Sequence, residues 1–155
     1  MCRGRSVFRA ALLAALILLL PVTAWAEEEP QFRFVLSVEG ETEKQAQPGD
    51  TVTAALRLKR TDSDDGYAMY AMQDEVVYDP AFLQLLPENT MTADGVRTAD
   101  VAAADGCRAC YFGFVAFDGA ADWAADTVVA LFQFRVIGED GASTLCSRNF
   151  LVSRE

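Results

Sequence analysis

The sequence predicts an all-β fold, a β-sandwich of antiparallel strands. Three observations predict it. Runs that alternate apolar and polar residues recur along the chain, the pattern of strands buried on one face. Asp-Gly pairs at Gly66, Gly95, Gly106, Gly119 and Gly141 punctuate those runs, and Asp-Gly is a strong turn signal. Beyond the N-terminal segment no long stretch carries the helical period of about 3.6 residues, so neither a helical bundle nor a βαβ fold competes.

The N-terminal segment, residues 1–26, reads as a secretory signal peptide. Arg3, Arg5 and Arg9 form a positive start, Ala10–Leu20 is an uncharged apolar run, and Ala24-Trp25-Ala26 fits a small-x-small cleavage site. The apolar run falls short of the roughly 20 residues that a spanning helix needs. Cys2 precedes the run and so is not placed for lipid attachment at a cleavage site. Residues 27–155 are then one domain, expected outside the cell and without a membrane span. A stand-alone module and the first part of a longer protein both fit.

The formal net charge is −10. Removing three arginines with the signal peptide makes the remainder more negative still. That excludes nucleic acid, whose phosphates call for clustered Lys and Arg, and disfavours anionic membranes. The chain has no histidine, which removes Ser-His and Cys-His nucleophile pairs and imidazole metal ligands together.

The elements follow in order. Gln31–Val38 alternates, with Phe32, Phe34, Leu36 and Val38 on one face. Pro48-Gly49-Asp50 is a turn, Pro presetting φ and Gly supplying the positive φ that follows. Thr51–Arg60 turns Val52, Ala54, Leu56 and Leu58 inward. Thr61–Gly66 is an acidic turn. Tyr67–Tyr78 is the longest extended run; Ala68, Tyr70, Met72, Asp74, Val76 and Tyr78 form its core side, and Tyr67, Met69, Ala71, Gln73, Glu75 and Val77 its outer side. Asp74 is the inward exception, costly unless hydrogen-bonded, near an edge or displaced by a bulge. Asp79-Pro80 ends the run because proline cannot donate to the ladder. Phe82–Leu86 packs a corner and starts the next strand. Pro87–Asp105 reads as a loop with a short helical turn. Cys110–Phe117, apolar on both faces, is a central strand. Gly119–Asp126 is a loop carrying Trp123. Thr127–Ile137 is a strand with Val128, Ala130, Phe132, Phe134 and Val136 on one face, and Ser143–Val152 is the last strand.

Few constellations point to chemistry. Cys107-Arg108-Ala109-Cys110 is a C-x-x-C followed directly by an aromatic strand, not by the helix that activates such thiols in redox proteins. Together with Cys146 it offers three thiols and no imidazole, short of a zinc site. A structural disulfide is expected, within Cys107–Cys110 or from one of them to Cys146, leaving one thiol unpaired. The Thr61–Gly66 stretch lacks the acids a calcium loop needs at its first, third and last positions, so no metal and no cofactor are expected. Carboxylates are plentiful, but nothing fixes a pair about 5 to 9.5 Å apart as glycoside hydrolysis requires, and no enzyme activity is expected. Tyr67, Tyr111 and Trp123 are candidates for an aromatic platform for sugar rings; each also fits as ordinary sandwich core or rim.

The order PGDTVTAALRL, YAMQDEVVYDPAFLQLL and a late VVALFQFRV strand resembles the cohesin domain and its relatives among carbohydrate-binding modules, over roughly Phe32–Val152. The resemblance implies a jelly-roll sandwich of about nine strands. It also implies recognition of a dockerin-bearing protein outside the cell, in polysaccharide degradation or surface assembly, through a flat sheet face that includes the strand before the Tyr-Asp-Pro corner. Carried onto this chain, that face holds Ala71 and Gln73, with Val115 and Asp118 on the neighbouring strand. Met69 and Glu75 complete the outer side of the run. Cohesins often place small polar residues such as Asn and Asp at the first two positions, where this chain has Ala71 and Gln73. Direct carbohydrate binding is the alternative that the relatives imply.

Overall fold

The alternating runs become strands largely where alternation predicts them. In the computed structural model, which describes residues 31–153, β1 is Phe32–Val38 and β2 is Thr51–Arg60. The expected signal peptide, residues 1–26, lies outside the described residues. The long run divides into β3 (Tyr67–Met69) and β4 (Ala71–Tyr78). There follow β5 (Leu83–Leu85), β6 (Met91–Thr92), β7 (Arg97–Ala102), β8 (Arg108–Val115), β9 (Ala121–Trp123), β10 (Asp126–Val136) and β11 (Cys146–Ser153). The short β3, β6 and β9 bring the strands above the nine or so expected.

The strands form a two-layer sandwich. The back sheet has the order β1-β2-β10-β5, with β6 also on β10; the front sheet has the order β11-β4-β8-β7. All pairings are antiparallel. Val52, Ala54, Leu56 and Leu58 of β2 turn inward as predicted and meet Met72, Val76, Phe112 and Phe114 of the front sheet in one core cluster. Aromatic pairs tie the layers: Phe34 to Phe112 at 5.4 Å, Phe112 to Phe132 at 6.4 Å and Tyr78 to Phe134 at 5.1 Å between ring centroids. Phe112, Phe132 and Phe134, fully buried, each contribute about 1.5 to 3 kcal/mol over an exposed ring.

Two breaks in alternation re-aim side chains. At Tyr70 the chain leaves the back-to-back pairing of β3 with β9 and joins the front sheet, the Tyr70 carbonyl accepting from the Ala116 amide at 2.8 Å. The extra residue reverses the parity before it. Met69, expected outside, is 1% exposed in the core, and Ala68, expected inside, is exposed. Gly66 makes the β3–β9 approach possible, since a Cβ there would sit 2.9 Å from the Trp123 carbonyl oxygen. In β10 the register with β2 shifts between Val128 and Ala130. This bulge turns Val129 into the core and leaves Val128 facing outward, a correction to the single inward face expected from Val128 to Val136.

The Tyr-Asp-Pro corner is built by hydrogen bonds. Asp79 Oδ1 accepts from the Ala81 amide at 2.8 Å, and the Asp79 carbonyl accepts from the Phe82 and Leu83 amides. The buried Tyr78 hydroxyl donates to Asp100 on β7 at 3.1 Å, and Arg108 Nε donates to the same carboxylate. The segment expected to be a loop thus contains β7, held to β8 along its length and pinned at this end.

Asp74 does face inward, at 1% exposure. Its Oδ1 accepts from the Glu75 amide at 2.8 Å, and its Oδ2 accepts from the Ser147 hydroxyl on β11. Burial pushes its carboxyl pKa above the usual range, opposed by the Ser147 and backbone hydrogen bonds. A folded-state pKa above the unfolded one means that the folded state binds the proton more tightly. Its stabilising effect is full below the unfolded pKa and is lost as pH rises through the folded one. Asp74→Asn keeps an acceptor for Glu75 and a donor for Ser147 without the buried charge. Urea unfolding of the variant should therefore show a larger midpoint gain over the parent at pH 7 than at pH 4; an equal difference at both would refute a buried, raised-pKa carboxyl.

Candidate partner-binding face

Directly paired residues in an antiparallel sheet share a face, so the outer face of the front sheet can be written as rows across β11, β4, β8 and β7. One row is Leu151, Gln73, Gly113 and Arg97; the next is Arg148, Glu75, Tyr111 and Ala99; the next is Cys146, Val77, Ala109 and Val101. At the other end Ala71 lies between Ser153 and Val115. Ala71, Gln73, Glu75 and Val115 therefore stand together on this face. Asp118 is exposed in the bend just past β8. Met69 is not part of the face.

The centre of the face is Tyr111. Its hydroxyl donates to Gln73 Oε1 at 2.9 Å, on the strand and row diagonal to it. Gly113 carries no side chain beneath it; a Cβ there would lie 3.5 Å from the Tyr111 hydroxyl. The ring is thus laid along the sheet over the glycine, not upright from it. Around it, Val115 is 54% and Leu151 50% exposed, while Tyr111 itself is 39% exposed. Beside them Arg148 Nε donates to Glu75 Oε1 at 2.6 Å. Tyr111, Val115 and Leu151 are thus open, Val77 and Ala109 in the third row are buried, and the central polar groups are tied to each other.

Arg97, Arg148, Leu151 and Gly113 were missed in the sequence. They become neighbours of Gln73 only through strand pairing, and β7 in particular has every residue exposed and no apolar alternation to mark it.

The three aromatic residues expected as a sugar platform are not brought together. Trp123 is 9% exposed and packs on Phe114 at 5.2 Å; Tyr67, its partner in the β3–β9 ladder, packs on Phe32 at 4.5 Å, its hydroxyl buried and without a hydrogen-bond partner among the described residues. Burial pushes the Tyr67 phenol up to about 12. Tyr111 stands apart on the outer face of the front sheet. The parity change at Tyr70 is what draws Tyr67 and Trp123 inward.

Of the expected disulfides none is formed in the structure, where Cys107, Cys110 and Cys146 are free. Cys110 is opposite Val76 and points into the core, whereas Cys146 is opposite Val77 and points out. Neighbouring residues of one strand face opposite sides, so these two cannot be bridged. Burial and the nearby Asp100 push the Cys110 thiol up to about 12, which leaves it unreactive at neutral pH.

Among solved structures, this sandwich is similar to the cohesin module of a Clostridium perfringens family 33 glycoside hydrolase. The TM-score is 0.57 at 12% identity, over 80% of this chain and 84% of that one. The chain has a cohesin-like fold. It is also similar to the seventh ScaB type I cohesin of Pseudobacteroides cellulosolvens, at TM-score 0.49 and 19% identity over 70% of each chain. A type II cohesin domain from the cellulosome of Acetivibrio cellulolyticus gives TM-score 0.46 and 18% identity, over 77% of this chain and 75% of that one. No protein-family model matches the sequence, and no curated protein matches it. At these identities the cohesin-like likeness is one of backbone, and the side chains of the face are this chain's own.

Two outcomes follow from the placements. Trp123→Ala should cost about 3 to 5 kcal/mol in chemical denaturation, as removal of a core aromatic does; a loss below about 1 kcal/mol would put the indole on the surface. In the native protein a maleimide should label Cys146 readily and Cys110 only after unfolding, as read by mass spectrometry of tryptic peptides.

Proposed function

We propose that residues 27–155 form a secreted, non-catalytic recognition module that binds a protein partner, of the dockerin-bearing kind, on the outer face of the front sheet. The reading of residues 1–26 as a signal peptide supports an extracellular location, and the cohesin-like fold supports a role in assembling polysaccharide-degrading or surface proteins. The single observation that carries the proposal is the face around Tyr111. A large exposed ring is held flat by Gln73 over Gly113 and flanked by the open Val115 and Leu151.

The chemistry fits a protein partner. Exposed apolar groups gathered on one face of a domain mark interaction surfaces, and tyrosine at the centre of such a patch supplies contact area at small entropic cost. Strand-borne side chains lose little freedom on docking, so less binding energy goes into ordering them. Ala71, Gln73, Glu75, Val115 and Asp118 then form the near side of the contact, and Arg148 and Leu151 the far side. Direct carbohydrate binding has less support, because Tyr67 and Trp123 pack inward.

The test is calorimetry against a panel of calcium-loaded dockerin modules. One of them should bind, and Tyr111→Ala should weaken it at least tenfold, about 1.4 kcal/mol, with the melting temperature unchanged. Silence across the panel, or wild-type affinity in Tyr111→Ala, would overturn the proposal.

A further inference from the structure

The outer face of the back sheet carries charge of the opposite sign to the molecule. Reading its rows across β1, β2 and β10, Arg33 lies beside Lys59 and Lys59 beside Asp126; in the next row Val35 lies beside Arg57 and Arg57 beside Val128. Arg135 stands on the same face at its far end. Asp126 is the only acidic residue in the back-sheet strands, in a chain whose net charge is −10.

Asp126 does not neutralise this cluster; it organises it. Its Oδ1 accepts from Arg57 Nε at 2.8 Å and its Oδ2 from Lys59 Nζ at 3.0 Å, and those two cations hold its carboxyl pKa below the ordinary value. One carboxylate thus positions two cations and leaves a positive charge over. Arg33, exposed and without an ion pair among the described residues, adds a second. Solubility does not call for cations here, since the overall charge already provides it.

We propose that Arg33, Arg57 and Lys59 form a binding site for the carboxylate or sulfate groups of an acidic polysaccharide, on the side of the sandwich away from the partner-binding face. Strands lie about 4.8 Å apart and same-face residues about 6.7 Å along them, so three strands and two rows make a patch of about 10 by 7 Å. That is the scale of one or two sugar rings. Val35 and Val128, which flank Arg57, give the C–H faces of such rings an apolar floor. Val128 faces outward only because of the bulge at Val129. The patch is too small for the phosphate tracks of nucleic acid, which the rest of the molecule repels. Its apolar members are short valines, not the Trp, Phe or Leu that enter a bilayer. The site does not depend on the partner-binding reading.

The experiment is titration of the protein at 50 mM and 200 mM salt with oligogalacturonate, dextran sulfate and neutral dextran, read by affinity electrophoresis and calorimetry. At least one anionic glycan should bind and neutral dextran should not, with affinity falling as salt rises. Binding of oligogalacturonate alone assigns carboxylate, and of dextran sulfate alone, sulfate. Arg33→Gln with Lys59→Gln should weaken binding at least tenfold, and Arg97→Gln, on the front sheet, should leave it unchanged. Equal binding by the double variant, equal loss in Arg97→Gln, or no binding of either glycan at 50 mM salt would overturn the proposal. So would charge-dependent binding to phosphatidylglycerol vesicles with both glycans inert.

Discussion

The unbroken register between β4 and β8, from Ala71 opposite Val115 to Tyr78 opposite Arg108, is the constraint on which the rest depends. Side chains alternate along a strand, so this one pairing sorts the residues of both strands at once. Met72, Val76, Tyr78, Cys110, Phe112 and Phe114 go to the core; Ala71, Gln73, Glu75, Tyr111, Gly113 and Val115 go to the outer face. A slip of β8 by one residue would bring Tyr111 under the back sheet and put Phe112 into water. The Tyr78–Asp100–Arg108 bonds oppose such a slip, because they require Tyr78 and Arg108 opposite each other with β7 in place beside them.

Departures from regular pairing then decide which chemistry reaches the surface. The parity change at Tyr70 buries Met69 and Trp123 and draws Tyr67 partly inward, and so closes off one possible ligand surface. The bulge at Val129 puts Val128 beside Arg57 on the back sheet. On β11, the register shift between Arg148 and Leu151 sets both residues on the outer face, although an odd spacing separates them. Ser147 meets Asp74 beside that shift, so the buried carboxylate holds the strand where its alternation breaks. Bulges of this kind are a recurrent way of re-aiming side chains without leaving the sheet.

These departures also explain how far the sequence could be read. β1, β2 and the corner at Tyr78-Asp79-Pro80 were legible because one face of each strand is apolar and the turn chemistry is local. β7 was not, since an edge strand with every residue exposed has no pattern for burial to impose. Tyr67 to Tyr70 is apolar at every position, so alternation alone had no means of choosing which side faced in; the pairing of β3 with β9 chose it. The outward placement of Ala71, Gln73 and Glu75 followed from counting within β4. Their neighbours Leu151, Arg148 and Arg97 come from strands distant in sequence, and the proximity of those residues is a property of topology. For the same reason the cysteine pairing could not be chosen from the sequence: spacing says nothing of which side of a sheet a thiol occupies, and Cys110 and Cys146 turn out to face opposite sides.

The two outer faces handle charge in opposite ways. On the front sheet Glu75 and Arg148 satisfy each other, and the Tyr111 hydroxyl is taken by Gln73. An exposed ion pair of this sort adds little stability, but it holds two long side chains that a partner would otherwise have to order. What this face leaves open is the apolar surface of Tyr111, Val115 and Leu151, with Arg97 beside Gly113 in the row of Gln73. On the back sheet one carboxylate serves two cations and a third stands beside them, so attraction to an anion is built in and is open to screening by salt. The same alternation that builds the core thus gives one sandwich an apolar outer face on one sheet and a cationic outer face on the other, with the core between them.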